Sequence, residues 1–323
     1  MRLQMSKAAE SEGGNRLAGK TGRLPEREKT DFPDDALERG ETPPQDPELP
    51  SAIRVAKVVG DLPAMPHIAA QVLDKLSDED TNPREIHQLI TQDQALAARV
   101  LKVANSPFYG ASRSISTLKD AVMFMGFDSI RSLIMTAVLK SMYSKVGLAE
   151  QLLWEHSTGC GLAARKIADE LRYPRKEEAY MAGLMHDVGK TALFLHAPGT
   201  MRDIMEEVYN EGLDFAEAEQ RRFGFTHALV GGAIANKWRF ASTIEDAIAD
   251  HHEPEPGPTP SQLTQIVNGA NAICHKLEVG PTRRPDLDLT QVKSMKFLGL
   301  GPERIENLVV AIGEALRANA VPL

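Results

Sequence analysis

From Ala52 onward nearly every segment repeats its apolar residues at spacings of three and four, and no convincing run of alternating β-branched residues interrupts the pattern. That period buries one face of a helix at a time, so the chain is expected to be all-α, a compact bundle of many helices. Sparse aromatics, 5% of residues, agree with this, because the core must then rest on Leu, Ile, Val, Ala and Met.

Local signals divide the pattern into elements. Asn82-Pro83 offers a cap followed by a first-turn proline, and Ile86, Leu89 and Ile90 then share a face. Asp93 caps the next helix, in which Leu96, Ala97, Val100, Leu101 and Ala104 form a stripe that should end near Asn105-Ser106-Pro107. Residues 116–120 open another helix, Gly126 interrupts it, and Asp128 restarts it through Met142. Further helices are expected over 148–172, 177–195, 200–212, 214–223, 226–240, 243–252, 261–278 and 302–319.

Residues 1–50 carry prolines at 25, 33, 43, 44, 47 and 50 and almost no periodic apolar residues, so a disordered tail is expected there. A main domain should then cover 51–275, with an N-terminal helical lobe at 51–145 and a second lobe at 146–275. Residues 276–323 should form a helical extension presenting Ile305, Leu308, Val309, Ile312 and Leu316 on one face.

The charge balance, 45 acidic against 37 basic residues for a net -8, opposes diffuse attraction to phosphate backbones and anionic bilayers, so DNA is not an expected partner. The longest apolar stretch, near residues 133–139, is far short of the ~20 residues a spanning helix needs, and membrane insertion is not expected. Cys160 and Cys274 offer no CxxC and no disulfide framework, which favours the cytoplasm.

Chemistry concentrates in the later half. His156, the pair His186-Asp187, His227 and the adjacent His251-His252 follow in order, and Lys190 stands four residues after His186. Neutral imidazole nitrogen and carboxylate oxygen suit divalent iron, manganese or zinc, and an ion bound there lowers the pKa of its water so that hydroxide can attack a phosphoester. Each piece also has a plainer reading. His156 beside Trp154 fits a satisfied core histidine, and His251-His252-Glu253 before Pro254 fits a polar helix end favoured by the helix dipole. Gly189, just after the His-Asp pair, is read as permitting a tight bend.

Taken together these residues carry a resemblance. Leu62-Pro63-Ala64-Met65-Pro66, the run from Ile90 through Leu96 into Val103-Ala104-Asn105-Ser106, and the run from Ile115 to Val122 with Met125-Gly126 resemble the HDOD domain. Residues 154–272 are similar to the wider HD superfamily and its HD-GYP phosphodiesterases. The resemblance implies an HD-type helical bundle and a role in bacterial signal transduction through signalling proteins as partners. It also implies His156, His186, Asp187, His227, His251 and His252 as metal ligands, with Lys190 contacting phosphate and Asp187 and Lys190 as the catalytic groups of an active enzyme. Asn271 stands where the superfamily's last aspartate ligand would fall, Leu152 where HD-GYP enzymes carry a glutamate, and the Gly-Tyr-Pro segment is missing.

With one matched carboxylate, unless Glu253 joins it, two divalent ions would leave much buried charge uncompensated, so one ion is expected. The expected function is a signalling module acting by protein-protein interaction, its metal site structural or regulatory. The alternative is a metal-dependent phosphohydrolase acting on a cyclic dinucleotide or another nucleotide.

Overall fold

Every regular element among the described residues is helical, in a computed structural model that describes residues 51–62, 65–78, 80–106, 109–143, 147–252 and 261–318. The tail expected at 1–50 and the Glu253 carboxylate lie outside the described residues. The earlier helices are α1 (Ser51–Gly60), α2 (His67–Lys75), α3 (Pro83–Ile90), α4 (Gln94–Ala104) and α5 (Leu118–Met142). Then come α6 (Leu148–Glu170), α7 (Lys176–Met185), α8 (Val188–His196), α9 (Pro198–Glu211), α10 (Phe215–Phe223) and α11 (His227–Lys237). The last are α12 (Ser242–Ala249), α13 (Gln262–Lys276), a 3-10 turn (Leu289–Gln291), α14 (Lys293–Phe297) and α15 (Pro302–Arg317).

Helix starts follow the local chemistry. Oδ1 of Asn82 accepts from the backbone nitrogens of Arg84 and Glu85, and Oδ1 of Asp93 accepts from those of Ala95 and Leu96. Thr117 Oγ1 accepts from the Asp120 nitrogen. Gly126, at φ 77° and ψ 166°, breaks the α5 ladder into the two expected segments.

Two apolar cores result. The smaller joins Val72, Ile86, Ile90, Val100, Leu118, Ala121, Ile130 and Ile134 from α2 to α5. The larger draws on α6 to α15 and takes in Met135 and Leu139, so α5 feeds both. Helix α1 departs from the expectation that placed it in the N-terminal lobe: Val55, Val58 and Val59 enter the larger core. Arg54 Nη1 donates to the Phe223 carbonyl at 2.7 Å and Lys237 Nζ to the Val59 carbonyl at 2.9 Å. The helical period from Ala52 onward fits a helix here but carries no information about its partner.

An 18-residue window of α5 has mean hydropathy 1.5, and the helix is long and apolar enough by composition to cross a membrane. Charged residues such as Asp128 and Arg131 divide that apolarity into short runs, which is why the sequence reading missed it. In the fold, 61% of the window is buried inside the protein, between the two cores. Helix α15 buries Ile305, Leu308 and Ile312, the face its spacing predicts.

Candidate metal centre

Five elements bring their residues to one point. Helix α6 supplies His156 and, one turn on, Cys160; the junction of α7 and α8 supplies His186 and Asp187; α11 opens on His227; the segment after α12 supplies His251 and His252; α13 contributes Asn271. The α12 helix ends at Ala249, so the two histidines sit in a bend and not within the expected helix to 252. The chain turns between α7 and α8 at His186 and Asp187 themselves.

Gly189 serves a different purpose from the expected bend. A Cβ there would lie 1.9 Å from the His227 carbonyl oxygen, so this glycine lets the start of α11 close onto α8. That contact places His227 beside Asp187.

Asp187 stands at the middle. Its Oδ2 is 3.5 Å from Nε2 of both His156 and His186. Its Oδ1 is 3.2 Å from His227 Nε2 and 3.7 Å from His251 Nε2. His227 Nε2 is in turn 3.4 Å from His251 Nε2 and 2.9 Å from His252 Nε2. Two groups of histidines therefore meet on the two oxygens of one carboxylate. Lys190 Nζ donates to Asp187 Oδ2 at 2.7 Å and lies 4.2 Å from the centroid of the Phe215 ring.

The other ring nitrogens are tied down. Nδ1 of His156 faces the Val279 carbonyl at 2.8 Å, Nδ1 of His186 the Gly183 carbonyl at 2.8 Å, and Nδ1 of His251 the Ile248 carbonyl at 2.7 Å. A carbonyl can only accept, so each of these rings carries its proton on Nδ1 and turns the Nε2 lone pair inward. The amide oxygen Oδ1 of Asn271 lies 3.1 Å from His156 Nε2. His186 Nε2 and Asp187 Oδ1 are buried with no hydrogen-bond partner in good geometry among the described residues. Orphaned acceptors on a converging set of imidazoles suit a divalent cation.

Electrostatics agree for the ion-free protein. Burial pushes His186 down to about 3 against the pull of Asp187, and burial likewise lowers His156, His251 and His252. Burial alone would raise Asp187, but His186, Lys190 and His227 hold it well below the usual carboxylate range. His227 runs the other way: burial draws it down, yet the Glu219 carboxylate and the bonds to Asp187 and Glu219 together raise it.

Glu219 escaped the sequence reading. It is fully buried, and its Oε2 accepts from His227 at both Nδ1 and the backbone nitrogen. The signal was available, since Glu219 falls among the buried Phe215, Ala218 and Phe223 of α10, a charge on an apolar stripe. His275, stacked on the His156 ring at 5.3 Å, and Cys160, with Sγ 3.5 Å from His156 Nε2, were also missed. Burial, then Cys274 beside it, push the Cys160 thiol well up.

An all-helical fold with an imidazole and carboxylate cluster at a helix junction defines the HD class of domains. The sequence pattern of the HDOD domain matches residues 62–254, and the chain belongs to that family. A crystal structure of an HDOD domain protein of unknown function from Geobacter sulfurreducens is similar, with 30% identity and TM-score 0.68, covering 82% of this chain and 98% of that one. A Shewanella amazonensis protein provisionally described as a phosphohydrolase shares the fold at 22% identity and TM-score 0.66, over 81% of this chain and 93% of that one. An uncharacterised protein of Treponema pallidum is 21% identical over 202 residues, 62% of this chain, which spans about two fifths (39%) of that protein's length.

Proposed function

We propose that this HDOD chain is a bacterial, cytoplasmic signal-transduction module that works through contacts with other signalling proteins. Its cluster holds one divalent transition metal ion, of iron, manganese or zinc, in a structural or regulatory role. The observation that carries the metal is the set of rings whose Nδ1 is fixed by protein acceptors while Nε2 faces Asp187.

The ion belongs with His227, His251, His252 and Oδ1 of Asp187. Oδ2 is engaged by the Lys190 ammonium, whereas behind His227 the Glu219 carboxylate offsets positive charge. An ion joining α8, α11 and the segment after α12 binds only the folded chain and stabilises it.

Burial supports a structural or regulatory role over turnover. His186, His227 and His251 have no exposed surface and Asp187 has 1%. Lys190, the expected phosphate contact, is bonded to Asp187. The large cleft between the lobes, about 1010 Å³, is lined by other residues, among them Phe127, Arg131, Trp238 and Phe240. Protein contact is supported by Met123 and Phe124, 63% and 46% exposed on α5 beside the Gly126 break. Large apolar side chains in solvent mark interaction surfaces when they cluster.

A second reading, phosphohydrolysis of a cyclic dinucleotide or other nucleotide, draws on the retained His186, Asp187 and Lys190 and on the partial exposure of His252. When bound, the ion would supply a Lewis acid and a hydroxide near neutral pH. The two readings separate in an assay of metal-loaded protein on cyclic di-GMP and a generic phosphodiester, beside the His186→Ala/Asp187→Ala variant. The signalling reading expects no turnover above the variant, with the same partners recovered by both proteins. Turnover lost in the variant establishes the enzyme instead.

A further inference from the structure

We infer that the cleft between the two lobes is a binding site for an organic cation, an amine or guanidinium carried on an aromatic or aliphatic body. The inference rests on the cleft's own residues and is independent of the metal reading.

The cleft encloses about 1010 Å³ where the two apolar cores meet. Small ligands bind preferentially in apolar pockets of this scale at such junctions, oriented by a few polar groups. Leu76 and Phe127 line it from the smaller core. Met181, Trp238, Phe240 and Ile244 line it from the larger one. The three aromatic rings in this set offer π-faces that attract a cation.

Helix α5 adds a polar strip. Asp128, Arg131 and Ser132, at spacings of three and four, share one helix face and line the cleft. Ser132 is 1% exposed, and its Oγ has no hydrogen-bond partner. A buried hydroxyl is rarely left so, and its oxygen can accept from an N–H of a bound ligand.

Charge selects the class of ligand. Glu177 and Glu178, in the first turn of α7, line the cleft with Asp128. Two guanidinium groups answer these three carboxylates: Arg165 Nη2 lies 3.1 Å from Glu177 Oε1, and Arg175 Nη1 lies 3.1 Å from Glu178 Oε2. Asp128 has no ion-pair partner among the described residues. Burial pushes the Glu177 carboxyl up against the pull of Arg165, and Asp128 adds to that rise. The lining cations Arg131 and Lys237 are already held by the backbone, donating to the Leu76 carbonyl at 2.5 Å and the Val59 carbonyl at 2.9 Å. A ligand cation beside Ser132 and the carboxylates satisfies the unpaired hydroxyl and offsets the uncompensated charge, while its apolar body covers the aromatic rings.

The test is titration calorimetry of the full-length protein with tryptamine, 3-methylindole and indole-3-propionate, one indole body carrying a positive charge, none, or a negative one. Tryptamine is expected to bind one per chain, about tenfold or more tighter than either of the others, because hydrogen bonds to a charged group are the strong ones. Binding should be the same before and after treatment with a chelator. Asp128→Asn, at an exposed position, and Ser132→Ala should each weaken tryptamine several-fold with circular dichroism unchanged, and Glu303→Gln on α15 should leave it as it is. Equal binding of all three probes, preference for the propionate, binding that neither cleft variant weakens, or no saturable binding at millimolar tryptamine each overturns the inference. Tryptamine binding abolished by the chelator places the amine at the histidine cluster, which overturns the cleft site and leaves the metal reading intact.

Discussion

Oε2 of Glu219 lies 2.6 Å from Nδ1 of His227 and 2.7 Å from the backbone nitrogen of the same residue, so one buried carboxylate orients the ring and anchors the first turn of α11. A carboxylate behind an imidazole fixes its tautomer and raises its basicity as a ligand. Glu219→Gln keeps the shape and removes the charge. It is expected to weaken metal binding about 10–100-fold, measured by competition with a chelating dye. An unchanged affinity would show that Glu219 acts on packing alone.

Lys190 and Asp187 form an ion pair with side chains 5% and 2% exposed. Removing one member of such a pair leaves an uncompensated buried charge and costs about 3 kcal/mol or more. Lys190→Met should therefore destabilise the metal-free protein by about that amount in urea unfolding. With metal present the cation takes over the neutralisation of Asp187, and the deficit should shrink. Equal losses with and without metal would contradict this division of roles.

Acid should unfold the metal-free protein early. His186 titrates at about 3 when folded against 6.5 when unfolded, so the unfolded chain binds the extra proton and the stability held above 6.5 is lost as pH falls toward 3. His156, His251, His252 and His275 are lowered in the same direction by burial. His227, raised, works oppositely, its contribution being present below 6.5 and lost as pH rises through its folded value. The lowered group outnumbers it. His186 alone then removes about 1.4 kcal/mol per pH unit well below its unfolded value, the other lowered histidines add in the same direction, and thermal melts in chelator should drop between pH 7.5 and 5.5. A melting temperature that rises on acidification would refute the buried neutral state of these rings.

Some of this architecture was written in local chemistry. The caps at Asn82 and Asp93 and the break at Gly126 depend on side chains within a few residues of the backbone they act on, and short-range rules reach them. The convergence of His156, His186, His227 and the 251/252 pair on Asp187 was anticipated through the resemblance, since helical spacing alone says nothing about which helices meet. What went unseen depends on contacts across the fold. Helix α1 docks on the later lobe through Arg54 and Lys237, and Gly189 answers to a carbonyl 38 positions away. Glu219 matters only because another helix carries His227 to it.

The central claim is that the inward Nε2 lone pairs around Asp187 hold a cation. Equilibrium dialysis of chelator-stripped protein against zinc or manganese tests it directly, beside a His227→Ala/His251→Ala variant. The account predicts at least one tightly held ion per wild-type chain and the loss of that ion from the variant. A wild-type chain that is folded by circular dichroism yet takes up no ion, or a variant that binds as much as the wild type, would contradict it.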